Sequence, residues 1–303
     1  WTNNKGLAGF GPYCLNEWRK NDSFSLSGNP DYYRGAAAYD RVVVKKVPQS
    51  ANRVAILLSG GAQFSEHLTP KEYDSLSRAK NVNVVGVKGN ENMFMILNFK
   101  SPPFDNPLVR QAIAHAVPYD KIIDTSYFGK AHKWLGVVPS TYPGFHAAST
   151  QYNYDPEKAK ALLAEAGYPG GAGLEAFPDS FKLTYMLERE SEMGPTATIL
   201  HTGFREIGIN VELNPIPQAQ YGDRELVKKD LPMGLTAHIK PIGVDAAYGT
   251  LLSYVSANKG GILNSANYSS DMVDGTLYGS LAEGNNDKRN EMLAAIQEQL
   301  MKD

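Results

Sequence analysis

Side chains able to attack a substrate, relay protons or hold a metal are few in this chain, and they lie far apart. The six histidines, His67, His115, His132, His146, His201 and His238, include no pair four residues apart and no His-Glu-x-x-His. A zinc site built from neighbouring ligands is therefore not expected. The one cysteine, Cys14, sits in Gly11-Pro12-Tyr13-Cys14-Leu15 and reads as a small buried hydrophobe in a strand. It has no second cysteine to pair with. Gly-x-Ser-x-Gly, Gly-x-x-x-x-Gly-Lys-Ser/Thr and strand-bound Gly-x-Gly-x-x-Gly motifs are absent from the sequence. The expectation is a non-enzymatic protein with no catalytic residue, no resident metal and no cofactor.

What remains is charge and aromatic surface at the ends of predicted elements. Arg189 follows a predicted strand, Phe181 to Leu187, and open α/β sheets place ligands at strand carboxyl ends. Its guanidinium can pair with a ligand carboxylate in two-point fashion, or it can belong to a solvated cluster with Glu188, Glu190 and Glu192. Trp134 and Tyr142 stand in a stretch from Gly129 to Tyr154 without a clear periodicity. Loops of that length inside compact domains often bind ligands. A further strand, Gly234 to Val244, runs into Gly243-Val244-Asp245-Ala246-Ala247-Tyr248.

The elements that would position these residues can be read from pattern. Tyr13 to Trp18, Phe24 to Leu26 and Asp40 to Val47 alternate as strands. Asn52 to Leu58 reads as a short helix stopped by Ser59-Gly60-Gly61. Val82 to Val87 reads as another strand, and the apolar run Met93 to Phe99 as a strand buried on both faces. Asp105 is expected to cap a helix with Pro107 in its first turn, and Asp155-Pro156 to repeat the device before a helix ending at Gly167. Phe181 to Leu187, Pro195 to Ile207 and Asn210 to Ile216 form a strand, helix, strand unit, which predicts a parallel pair. In the final helix, Asp287 to Lys302, the residues Met292, Leu293, Ile296 and Leu300 face inward, with Lys288, Arg289, Glu291 and Glu298 outside. Lacking a start methionine and a signal-peptide pattern, and ending in a helix still running, the 303 residues read as a piece of a longer protein.

Composition agrees with a two-domain globular protein. Of its residues 42% are hydrophobic and 20% charged, and 30 basic against 32 acidic side chains give a net charge of −2. That balance speaks against a nucleic-acid binder, which needs surplus Lys and Arg to displace counterions. No apolar stretch approaches the ~20 residues of a membrane span.

Several stretches together resemble one family. They are Gly11-Pro12-Tyr13 with Asn29-Pro30-Asp31-Tyr32-Tyr33-Arg34-Gly35, then Val47-Pro48 with Ala51-Asn52-Arg53, then Asn98 with Pro102 to Ile113. Tyr154-Asp155-Pro156-Glu157-Lys158-Ala159, Gly167-Tyr168-Pro169, Ile207-Gly208-Ile209 and Asn267-Tyr268 follow in order. The chain is similar over nearly its whole length to the family 5 bacterial extracellular solute-binding proteins, the oligopeptide and dipeptide class of ABC-transporter receptors. The resemblance implies an α/β, two-lobed periplasmic-binding-protein-like fold (type II, dipeptide-binding class) of mixed sheets flanked by helices. Residues 1–90 would be part of an incomplete first lobe and 91–303 most of the second. It implies a receptor that captures a short peptide or related small solute and delivers it to a membrane permease, as a periplasmic or extracellular, membrane-associated monomer. A ligand-sensing module of a regulatory protein and a peptidase are the rival readings. By the same resemblance Asp245, within Gly243 to Tyr248, would pair with a ligand α-amino group; Arg189, by its place after a strand, and the aromatic Tyr248, Trp134 and Tyr142 are the further ligand-binding candidates. The family has a tryptophan before the aspartate and Asp-Pro after it, where this chain has Ile242 and Ala246-Ala247. The alternative for Asp245 is a loop-capping aspartate; Arg110 reads as a salt-bridged scaffold residue and not as a ligand contact.

Overall fold

The structure, a computed structural model, describes residues 9–66, 68–87, 89–239 and 245–303. It divides into two compact units, Trp1–Val84 and Val85–Asp303.

In the first unit β1 (Tyr13–Arg19), β2 (Ser23–Gly28) and β3 (Arg41–Lys45) form an antiparallel sheet in that order. Leu15, Leu26 and Val42 pair in one row, and Trp18, Phe24 and Val44 in another. Leu15 and Trp18 are three residues apart, a spacing that would put them on opposite faces. A bulge between Leu15 and Glu17 restores the parity and gives one face two apolar rows. Cys14 pairs with Ser27 on the other face and is exposed, not buried as its neighbours suggested. Two helices follow, α1 (Ser50–Leu58) and α2 (Pro70–Leu76). The second begins with a capping box: Thr69 accepts from the Glu72 N–H while the Glu72 carboxylate accepts from the Thr69 N–H at 2.7 Å. Val82 to Val87 forms no strand; Val85 and Val87 are 74% and 82% exposed.

The second unit is built on a four-stranded mixed sheet. Its strands are β4 (Glu91–Leu97), β5 (Lys182–Met186), β6 (Glu212–Ile216) and β7 (Met233–Ile239), in the order β4-β7-β5-β6. The expected β5, helix, β6 unit is parallel, with Leu183 opposite Leu213. β7 runs parallel to β5, and β4 antiparallel to β7. The helices on this sheet are α3 (Pro107–His115), α4 (Pro156–Glu165) and α5 (Glu190–Glu206). Leu183, Met193, Ala197, Phe204, Met233 and Leu235 belong to the core between them. A second core of Val138, Ala246, Val255, Val273, Leu277, Leu293 and Ile296 joins α6 (Ala246–Ser253), α7 (Asp271–Ala282) and α8 (Asn286–Lys302). No helix among the described residues is long and apolar enough to cross a membrane.

Two further expectations are corrected. β4 is not buried on both faces: within it only Ile96 is fully buried, and its outer edge meets no strand among the described residues. The cap of α3 is Asn106, whose side chain accepts from the Leu108 N–H at 2.9 Å, and not Asp105. Asp155 caps α4 as expected.

The recognisable motifs turn out to be joints. Asn98, almost wholly buried, donates to the carbonyls of Lys229 and Leu231 and accepts from the Lys100 N–H and the Asn267 side-chain amide, both at 3.0 Å. Arg110 donates to the carbonyls of Asp303, Phe104 and Asp105 and lies 3.8 Å from the centre of the Phe99 ring. Gly208, at φ 88°, packs directly on the backbone of Gly170 and Gly171, leaving no room for a side chain. Gly208→Ala combines that collision with an unfavourable backbone region and is expected to cost about 3 kcal/mol or more. Gly167→Ala meets open space at φ 93° and should cost only about 1 to 2 kcal/mol. Urea unfolding of the two variants checks the contrast, and equal losses would refute the packing argument.

Candidate ligand-binding site

The carboxyl edge of the sheet gathers charge. Asp245 follows β7 and takes extended backbone angles as the N-cap of α6, its Oδ1 accepting from the Ala247 N–H at 2.8 Å. The same Oδ1 receives Arg289 from α8 at 2.7 Å. The carboxylate is thus capping and ion-paired, yet its side chain keeps 34% of its surface open. Pattern reading left Arg289 on the outside of the last helix; the structure turns it to Asp245, 44 positions earlier.

Arg189 lies just past the end of β5. Its Nε and one terminal nitrogen grip both oxygens of Glu192, at 2.9 and 2.6 Å, and the same terminal nitrogen reaches Glu91 at 3.3 Å. Burial alone would pull the guanidinium down, but the Glu192 and Glu91 carboxylates more than offset it and raise its affinity for the proton. Because Glu91 opens β4 and pairs in register with Ile239, Arg189 ties three strands together at this edge.

The aromatic candidates separate. Tyr248 lies on α6, 45% exposed. Tyr142 is buried, its hydroxyl accepting from Asn90 at 3.3 Å. Trp134 lines a cavity of about 900 Å³ within the second unit, with Met93, Ile113, Tyr127, Tyr152 and Thr196 among the other walls. Asp245, Arg189, Tyr142 and Tyr248 are not in that wall. Gly243 lies outside the described residues. No cluster of His, Cys, Asp and Glu suited to a metal ion occurs among the described residues.

The loop carrying Trp134 and Tyr142 is moored to α8. Gln297 donates to the Gly144 carbonyl at 2.8 Å and accepts from the His146 N–H at 3.0 Å. Glu298 accepts from His146 Nε2 at 2.7 Å, from the Ser149 N–H at 2.8 Å and from the Ser149 hydroxyl at 2.7 Å. Gly144, at φ 78°, packs on Leu293 and Ala246, and the Ala246 N–H donates to the Pro143 carbonyl. One helix therefore positions both the loop and Asp245.

Against known proteins, a family model described as bacterial extracellular solute-binding proteins, family 5 Middle, matches residues 1–261. The heme-binding protein A of Haemophilus influenzae is 30% identical over 210 residues, 69% of this chain and 37% of that protein. The glutathione-binding protein GsiB of Escherichia coli is 30% identical over 164 residues, 54% of this chain and 32% of that protein. The periplasmic binding protein DppA of Helicobacter pylori, solved with the peptide STSA, superposes with a TM-score of 0.81 at 28% identity, over 96% of this chain and 55% of that one. The CtaP substrate-binding protein of Listeria monocytogenes, at 22% identity, has the same fold, with a TM-score of 0.81 over 97% of this chain and 58% of that one. The chain thus spans about half the length of the solved relatives and about a third of the curated ones.

Glu298 gives the mooring a pH signature. Its hydrogen bonds from Ser149 and His146 lower the carboxyl from its ordinary 4.5 to about 2. A folded value below the unfolded one means the contribution is complete above about 4.5 and is lost as pH falls toward 2. Amide exchange at Ser149, corrected for intrinsic rate, should accelerate across that window in the wild-type protein. Glu298→Ala, which has no side-chain acceptor, should exchange fast throughout; a variant as protected as wild type at pH 6 would remove Glu298 from the mooring.

Proposed function

The chain belongs to the family 5 bacterial extracellular solute-binding proteins, and from that premise we propose that the whole protein is the receptor of an ABC importer. It captures a short peptide or a related amine-bearing solute between two lobes and hands it to a membrane permease, outside the cytoplasm and without turning it over. Residues of the first unit contribute to one lobe, and those of the second unit form most of the other.

The observation that carries the ligand class is Asp245. It follows β7 in the chain and caps α6, and open α/β sheets bind ligands beyond the carboxyl ends of their strands. Its Oδ1 is spent on Ala247 and Arg289, and Oδ2 faces a ligand ammonium. Enclosing that ammonium strips its water, so the charge partner matters: truncating one member of such a pair typically costs ~2 to 5 kcal/mol. Tyr248, on the helix that Asp245 caps, supplies aromatic surface for the ligand body, whereas Trp134 lines a cavity whose wall includes neither residue. Arg189 is committed to Glu192 and Glu91 and Tyr142 is buried, so neither carries this reading.

Mass spectrometry of small molecules retained through purification of the full-length protein should identify an amine-bearing solute. Asp245→Asn should weaken that solute at least tenfold in calorimetry. An unchanged affinity would take Asp245 out of the site.

A further inference from the structure

Asp245 does not stand alone. Arg289 uses one terminal nitrogen on Oδ1, and neither its Nε nor its second terminal nitrogen has a hydrogen-bond partner among the described residues. Oδ2 of Asp245 is likewise without a donor there. Both side chains stay partly open, 21% for Arg289 and 34% for Asp245. The pair therefore presents an acceptor edge and a donor edge side by side. The donor edge is held in place from behind: α8, which carries Arg289, packs Leu293 into the second core and fixes the Gly144 turn through Gln297.

That arrangement discriminates between ligand heads. An ammonium approaching Oδ2 also approaches the guanidinium, and like charges a few ångströms apart repel by energies comparable to the attraction sought. A head with ammonium and carboxylate on the same carbon avoids the conflict. Its ammonium takes Oδ2, its carboxylate takes the unused guanidinium N–H groups as charge-assisted bonds, and the four charges alternate. The amino terminus of an α-linked peptide cannot do this, because the carbon bearing the ammonium carries a neutral carbonyl.

We propose that Asp245 and Arg289 together recognise a zwitterionic α-amino-acid head, the chemistry shared by free amino acids and by γ-linked peptides. This rests on the reading above that Asp245 faces the ligand, and it adds Arg289 as a residue that determines specificity.

The test uses calorimetry on the full-length protein with three probes: γ-glutamyl-alanine, its isomer α-glutamyl-alanine, and L-glutamate. The two isomers have the same atoms and charges and differ in whether the α-carboxylate is free. The γ isomer should bind at least tenfold more tightly than the α isomer. Arg289→Gln should reduce that preference to twofold or less, Arg289→Lys should retain part of it, and Asp245→Asn should weaken both isomers. L-glutamate binding as tightly as the γ isomer points to free amino acids as the source, whereas tenfold weaker binding points to γ-linked peptides. An α isomer that binds as well as the γ isomer, or a preference that survives Arg289→Gln, overturns the proposal while the Asp245 reading stands. Asp245→Asn without effect, or no binding of any probe, overturns both.

Discussion

A stretch of more than twenty residues without helix or strand, Gly129 to Tyr154, can be ordered only if its backbone groups find partners outside regular structure. Helix α8 meets that requirement. Gln297 serves the Gly144 carbonyl and the His146 N–H, Glu298 collects three donors from His146 and Ser149, and Arg289, two turns earlier, holds Asp245. Three polar side chains on one helix thus set the position of a loop and of the residue on which the ligand reading rests. Because Leu293 and Ile296 on the same helix are buried, the arrangement is anchored by the second core and not by surface ion pairs alone.

The sheet supplies the other frame. β5 and β7 run parallel, so their carboxyl ends open at one edge, and α5 follows β5 from that edge. Arg189 spans the edge by gripping Glu192 on α5 and reaching Glu91 on β4 and the Ala237 carbonyl on β7. Its charge is absorbed by two carboxylates, whereas the Arg289 charge is shared with one. The two arginines therefore differ in what each has left to offer.

Local chemistry was the legible part of the sequence. The Asp155-Pro156 cap and the three strands of the first unit are patterns within a few residues, the parallel β5 and β6 pair follows from a strand, helix, strand order, and all stand where pattern placed them. The misreadings came from interactions of longer range. Met93 to Phe99 looks like a strand buried on both sides, but burial depends on what lies beside β4, and no strand among the described residues covers its outer edge. Trp18 took its face from a bulge that no alternation pattern announces, and Cys14 lies on the face opposite Leu15. Asn106 displaced Asp105 as a cap by one position, within the usual ambiguity between two capping residue types. Arg289 and Glu298 read as solvent-facing because helical periodicity knows only the helix; their partners lie 44 and roughly 150 positions away. What could have flagged them is Gln297, a polar residue on the buried stripe of an otherwise regular helix.

Trp134 has an optical consequence. Of the three tryptophans, Trp18 stands on an open sheet face at 61% exposure, while Trp134 is half-buried in the loop that α8 secures. An indole so placed senses the polarity of a cavity wall, and the exposed one already emits from water. A shift in intrinsic emission colour therefore carries information about the loop, and the molecule needs no attached dye to signal when that segment changes its surroundings.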